Sequence, residues 1–265
     1  MQSGEPQIVQ FPTERARQRA GSAPAAAPAE PLPPPGDRWD LVSPAGGWGG
    51  TVLALSTPAP LAEDETQPLF AGTTSGCFIS LDNGQTWEPQ NEGLSSPYVQ
   101  AITVSPQYDR EPTVFAGSLG GGVMRSRDGG YTWARMEFWQ AAAPVTAIAL
   151  SPRFPSDGTI LAATQYEGIQ RSTNAGNTWS TANFGLADLS IMALAVSPAF
   201  DEDEIVFCAA TDGLYRSTNG ARAWRRVRGL PTEAVQAISF SPPLPGDGTI
   251  LVGTQDARIF LSTNR

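Results

Sequence analysis

SRDGGYTW, residues 126–133, is a tight turn spelled out in side chains, and the chain repeats it. SLDNGQTW (80–87), STNAGNTW (172–179) and STNGARAW (217–224) follow the same pattern, and STNR (262–265) begins a fifth copy. The opening serines, Ser80, Ser126, Ser172, Ser217 and Ser262, are 46, 46, 45 and 45 residues apart. A serine hydroxyl and an Asp or Asn side chain two residues on can both bond backbone N–H groups inside such a turn. Asp82 and Asp128 hold that place in two copies, Asn174, Asn219 and Asn264 in the others. Gly84, Gly130 and Gly176 supply a positive φ at the fifth position. The fourth turn has Ala221 there and Gly220 one earlier, so its geometry is expected to be the exception. Trp87, Trp133, Trp179 and Trp224 close the turns, each expected to lay a large ring beneath its turn.

Working outward, each turn follows three short apolar runs. The first is VQAITVSP (99–106), VTAIALSP (145–152), IMALAVSP (191–198) or VQAISFSP (235–242), with a looser VLALSTP at 52–58. The second reads LFAGT, VFAGS, ILAAT, VFCAAT or ILVGT, and the third CFIS, VMRS, IQRS, LYRS or IFLS. Short alternating runs at this spacing are strands. The inner run always has alanine third (Ala54, Ala101, Ala147, Ala193, Ala237) and a small residue fifth, which suits strands crowding a narrow axis.

The S-x-D-x-G-x-x-W pattern resembles the Asp-box, or BNR, repeat family, across residues 38–265. The resemblance implies an all-β, five-bladed β-propeller of four-stranded antiparallel blades, with the Asp box joining third and fourth strands. The blades are expected at 51–90, 97–137, 144–182, 190–228 and 234–265. The last copy stops before its tryptophan, and RWDLV near the start of the ordered chain would complete it. Residues 38–43, with Trp39 in the tryptophan place, are therefore expected to supply the last outer strand and close the ring. Residues 37–265 form the propeller in this reading. Residues 1–36, ending in the Ala/Pro run 21–36, are expected to be a disordered tail and linker, or else to include a docking peptide around Ile8 to Arg19.

Composition narrows the function. The net charge is −9, which disfavours nucleic acid and anionic membranes. There is no histidine, and all 17 basic residues are arginine, which removes the usual general base, the commonest metal ligand and Schiff-base chemistry. Cys77 and Cys208 are too few for a disulfide framework or zinc site; they fall in blades one and four, too far apart to pair. No apolar stretch is long enough to span a membrane and no secretory leader is evident, so a cytoplasmic location is expected. No cofactor, metal or catalytic residue is expected. The resemblance reaches sialidases, glucan hydrolases, sortilin-type receptors and photosystem II assembly propellers. A sialidase needs an arginine cluster, but Arg125, Arg171 and Arg216 recur at one repeat position and read as structural.

The expected function is a non-enzymatic scaffold that binds a protein partner; the alternative is a carbohydrate-binding or glycoside-hydrolysing, sialidase-like propeller with a glycan ligand. Two surfaces are candidates. One face is expected to gather Trp48, Tyr98, Phe138, Trp139, Tyr166 and Phe184 with Arg225, Arg226 and Arg228, the composition of a binding hot spot. The other carries acidic loops, above all Asp201, Glu202, Asp203 and Glu204, either a hydrated rim or a site for a basic partner.

Overall fold

The structure is a computed structural model that describes the backbone of residues 7–9 and residues 49–58, 67–137, 143–230, 233–240 and 249–263. The first strand in the chain, β1 (Gln7–Val9), belongs to the last sheet. Blade one holds β2 (Val52–Ser56), β3 (Leu69–Thr73), β4 (Gly76–Ser80) and β5 (Glu88–Pro89). Blade two holds β6 (Val99–Val104), β7 (Val114–Ser118), β8 (Gly122–Ser126) and β9 (Ala134–Arg135). Blade three holds β10 (Val145–Leu150), β11 (Ile160–Thr164), β12 (Ile169–Ser172) and β13 (Ser180–Thr181), with a helical turn α1 (Phe154–Asp157) after its inner strand. Blade four repeats this with β14 (Ile191–Val196), α2 (Phe200–Asp203), β15 (Val206–Ala210), β16 (Gly213–Ser217) and β17 (Arg225–Arg226). Blade five holds β18 (Val235–Phe240), β19 (Ile250–Thr254), β20 (Ile259–Ser262) and, on its outer edge, β1. All neighbouring pairs are antiparallel, so the all-β, five-sheet architecture is as the repeat implies.

Every inner strand slips register between its first and third residues, which puts Leu53, Gln100, Thr146, Met192 and Gln236 in a bulge. A bulge bends and twists the strand locally. Thr146 uses the slip to donate Oγ1 to the carbonyl of Ile191 in the next inner strand, at 2.6 Å.

The core lies between blades. One cluster joins Phe70 and Ile79 of blade one to Val99 and Trp133 of blade two. The next joins Phe115 and Val123 to Val145 and Phe154. A third joins Leu161 and Ile169 to Ile191, Phe200 and Trp224, and a fourth joins Phe207 and Leu214 to Val235 and Val252. Each large side chain so buried contributes roughly 1.5–3 kcal/mol. Tyr108, Phe154 and Phe200 each follow a Ser-Pro turn and drop into the cluster shared with the preceding blade; Phe154 meets Phe115 edge-on at 5.5 Å and Tyr108 meets Phe70 at 5.7 Å.

One expectation changes here. The outer strand of blade five is not placed at residues 38–43, which lie outside the described residues together with Trp39; Gln7–Val9 takes that edge, pairing with Leu261 to Ile259. Ile8 was expected in a tail, but its backbone opposes Phe260. The physical reason is the open edge of β20, which any short apolar segment with free N–H and C=O groups can satisfy. Among the described residues, no fifth core joins blade five to blade one, and Val52 and Leu55 of the first inner strand are exposed. Cys77 and Cys208 are both buried and free, in separate clusters.

Candidate interaction surface

The Asp boxes and the loops after the inner strands share one face, joined by backbone bonds such as Gly129 N to Pro112 O (2.8 Å) and Gly220 N to Glu204 O (3.0 Å). In the first box Ser80 Oγ donates to Asp82 Oδ1 at 2.8 Å and accepts from Gly84 N at 2.8 Å. Thr86 then caps the carboxylate twice, N to Oδ1 at 2.8 Å and Oγ1 to Oδ2 at 2.6 Å. The Thr86 hydroxyl is the main reason the Asp82 carboxyl is held down to about 2. Thr132 plays the same part beside Asp128, whereas beside Asn174 the Thr178 N–H donates to Oδ1 at 2.9 Å and the Asn174 amide donates to Thr178 Oγ1 at 2.8 Å. The fourth box is not the exception expected. Ala221 takes the left-handed conformation at φ 67 and donates its N–H to Ser217 Oγ at 3.0 Å, while Ala223 N reaches Asn219 Oδ1. The bonding network overrides alanine's reluctance.

The tryptophans divide into two kinds. Trp87 and Trp179 donate their ring N–H to their own turns, at Gly84 O and Gly176 O. Trp133 and Trp224 are buried and reach into the preceding blade, at Gln90 O (2.9 Å) and Ala182 O (2.7 Å). They fasten blades together, which corrects the reading of all four as turn supports.

The acidic run is largely engaged. Asp203 accepts from Ser197 Oγ (2.7 Å) and Ile205 N (2.9 Å), as Asp157 does from Ser151 Oγ (2.5 Å) and Thr159 N (2.7 Å) one blade earlier. Asp201 pairs with Arg153 at 3.0 Å and Glu204 with Arg222 at 3.4 Å; Glu202 is exposed. Among the described residues, no group of acids and cysteines is placed to hold a metal ion.

Of the residues expected on the opposite face, Trp48, Phe138 and Trp139 lie outside the described residues. Tyr98 is half-buried ahead of β6, and Tyr166, 63% exposed, tips the turn between β11 and β12. Phe184, 80% exposed, stands on the outer rim, its carbonyl accepting from Trp224 N. The expected single patch is thus spread over several blades. The arginines do converge: Arg225, Arg226 and Arg228, with Val227, Gly229 and Leu230, line an open groove of about 840 Å³ along β17.

Beneath that groove lies a polar cluster that the sequence reading missed. Arg226 donates to the carbonyl of Asp212. Tyr215 OH donates to Asp212 Oδ2 at 2.6 Å and accepts from Ala187 N at 3.3 Å. Burial first, then the Asp212 bond, pushes the Tyr215 phenol up. Asp188 accepts from Thr211 Oγ1 and from Ser190 N; burial opposes its ionisation, and those hydrogen bonds outweigh it, leaving the carboxyl lowered. No motif in the sequence marks Asp212, and only the fold brings its carbonyl to Arg226.

The repeated arginines do not form a cluster. Arg125 Nη1 donates to Ala175 O in the next blade's box at 2.8 Å, and Arg216 lies over Phe207, 5.9 Å from the ring centre.

A family model for the BNR/Asp-box repeat matches residues 78–89. Among solved structures, the chain is similar to an ancestral GH74 enzyme, at 20% identity and TM-score 0.61, covering 82% of this chain and 31% of that one. It is similar to the GH74 xyloglucanase from Xanthomonas campestris, at 17% identity and TM-score 0.58, covering 82% and 38%. It is also similar to YCF48 from Cyanidioschyzon merolae, at 15% identity and TM-score 0.58, covering 85% and 73%. The chain thus spans about a third of the length of the GH74 proteins. No curated protein matches it in sequence. Repeats, turn chemistry and these likenesses agree on the fold: the chain is a β-propeller, with a BNR/Asp-box repeat matched at residues 78–89.

Proposed function

We propose that this propeller is a non-enzymatic scaffold that binds a protein partner through the arginine groove of blade four. The observation that carries the reading is the convergence of Arg225, Arg226 and Arg228 on one open groove beside Val227 and Leu230. Arginine beside apolar surface is a strong anchor for carboxylates on a partner. The Asp212–Tyr215 cluster holds Arg226 in place, which reduces the entropy lost on binding. Several carboxylates elsewhere are occupied in the fold. Asp82, Asp128 and Asp188 all have lowered pKa values, the condition of structural hydrogen-bond acceptors and the opposite of a general acid.

Cross-linking in a cell extract tests this. Arg225→Glu with Arg228→Glu should remove the cross-linked partners of the wild type while the melting temperature stays within a few degrees. Asp201→Asn with Glu202→Gln should keep them. Loss with the acidic-face variant and retention with the groove variant would overturn the choice of face. The exposed ring of Tyr166 favours the second reading, a glycan platform. Steady release of reducing ends from xyloglucan or other polysaccharides would favour that reading over the scaffold.

A further inference from the structure

We propose that the crevice between blades two and three, on the Asp-box face, binds a dianionic phosphoryl group carried on a small organic molecule. An open pocket of about 360 Å³ lies there, and three arginines line it. Arg110 comes from the loop after β6, Arg125 from the end of β8 and Arg127 from the second Asp box. Pro112 and Phe154 supply an apolar wall. A concave site of this size with a few converging charged groups suits a small ligand. The pocket is separate from the groove on β17 and does not rest on the reading of that groove.

The repeat shows that folding does not require two of these arginines. Arg127 stands second in its box, where the other described boxes carry Leu81, Thr173 and Thr218. Those boxes close with the same bond from backbone N–H to serine Oγ. Arg110, five residues after Ser105, takes the place of Ser156 in blade three and Glu202 in blade four. The next corner, between blades three and four, shows what the third-strand arginine faces elsewhere. Burial and then Arg222 lower the pKa of Arg171, and the carboxylates of Glu204 and Asp157 oppose them. Arg125 is lowered by burial and then by Arg127, and no carboxylate opposes them. The corner of blades two and three thus lacks the counter-charge that its neighbour has.

The bond from Arg125 Nη1 to Ala175 O, at 2.8 Å, holds this guanidinium in place before a ligand arrives. Two acids lie close. Glu111 lines the pocket, and Asp109 is 3.9 Å from Arg110 with both side chains exposed. An exposed pair of that kind is weak, so three cations against one lining carboxylate leave a positive excess. Guanidinium forks bind oxyanions through paired N–H bonds. A carboxylate offers two oxygens in one plane. A phosphoryl group offers three oxygens and a charge of about −1.5 to −2 near neutral pH, which suits arginines arriving from three elements. The wall of Pro112 and Phe154 favours an ester over the free ion.

Isothermal titration calorimetry on the full chain tests it, with phenyl phosphate, inorganic phosphate and phenylacetate as probes. Phenyl phosphate should bind one per chain, inorganic phosphate more weakly and phenylacetate more weakly still. Affinity for phenyl phosphate should rise as pH passes upward through about 6, where the phosphoryl group gains its second charge. Arg110→Ser with Arg127→Thr installs the residues that blade three uses at these places, so the fold should persist. Affinity should then fall about tenfold or more, with two charge-assisted bonds gone. Glu111→Gln removes the opposing charge and should tighten binding; it carries the test should the double variant fail to fold. Arg225→Glu with Arg228→Glu should leave binding unchanged. No saturable binding of phenyl phosphate at millimolar concentration overturns the proposal. So does an R110S/R127T chain that binds like the wild type, an E111Q chain that binds no tighter, or phenylacetate held as tightly as phenyl phosphate. Inorganic phosphate held as tightly as the ester would keep the phosphoryl site and overturn the organic carrier.

Discussion

At the scale of single residues, the Asp box is a small machine for holding backbone at positive φ. The fourth and fifth residues are both left-handed in all four described boxes, from Asn83 and Gly84 to Gly220 and Ala221. Ala221 shows that the conformation is imposed by the serine and the Asp or Asn acceptors, not merely permitted by glycine. Space then decides what each position tolerates. A Cβ on Gly130 would lie 2.8 Å from Phe70 and 2.9 Å from Ile79, whereas one on Gly120, at φ 77, would meet nothing within 4 Å. Gly130→Ala should therefore cost clearly more than Gly120→Ala, which carries only the left-handed penalty of roughly 1–2 kcal/mol; urea unfolding of the two variants checks the order. Asp82 gives a pH signature. Its carboxyl is depressed to about 2, so its stabilisation is complete above the unfolded value near 4. That stabilisation is lost as pH falls through about 2. Thr86→Val removes the largest cause and should move the Asp82 titration, followed by carboxyl-carbon NMR, back toward the ordinary range. An unmoved midpoint would mean that the threonine hydroxyl does not hold the acid.

Elements differ in how much of them the sequence reveals. The second and third strands were legible because their runs recur in phase, and the Asp-box turns because their side chains and spacing state the geometry. The turn after each inner strand was hidden. SPQY, SPRF and SPAF (105–108, 151–154, 197–200) read as strand ends followed by charge, yet each aromatic is a peg between blades. The two roles of tryptophan were equally hidden, since the ring's neighbour depends on the loop from the preceding blade: Trp133 N bonds Glu92 O and Trp224 N bonds Phe184 O. Trp133→Ala should accordingly cost about 3–5 kcal/mol, as a buried aromatic truncation, and half-buried Trp87→Ala less. If calorimetry finds Trp87→Ala the more damaging, the division into two kinds is wrong. The open edge of blade five was foreseen but given to residues 38–43 on the strength of motif completion, whereas Gln7–Val9, a segment with no such motif, takes it. Deleting residues 1–10 removes β1 and frees the N–H and C=O groups of β20. That deletion should lower the melting temperature and raise light scattering on heating; an unchanged melt would show that β1 adds no stability.

On the scale of the whole molecule, four core clusters among the described residues join successive blades, and each blade's stability depends on its neighbours. The candidate site was legible only in part, because the three arginines are consecutive enough to share a strand while their supports, Asp212 and Tyr215, come from other elements of blade four. Burial of the two thiols has a further consequence. It pushes the Cys77 thiol to about 12 and that of Cys208 well above the ordinary range, so neither forms a thiolate in the intact protein at neutral pH. Each can be alkylated only when its blade opens, which makes the pair a two-channel clock of local opening. Cys77 reports the interface of blades one and two, and Cys208 that of blades three and four. In an array that frays from its ends, iodoacetamide should mark Cys77 well before Cys208 under native conditions, read by mass spectrometry of the peptides. In a ring without ends, the two cysteines would be marked together.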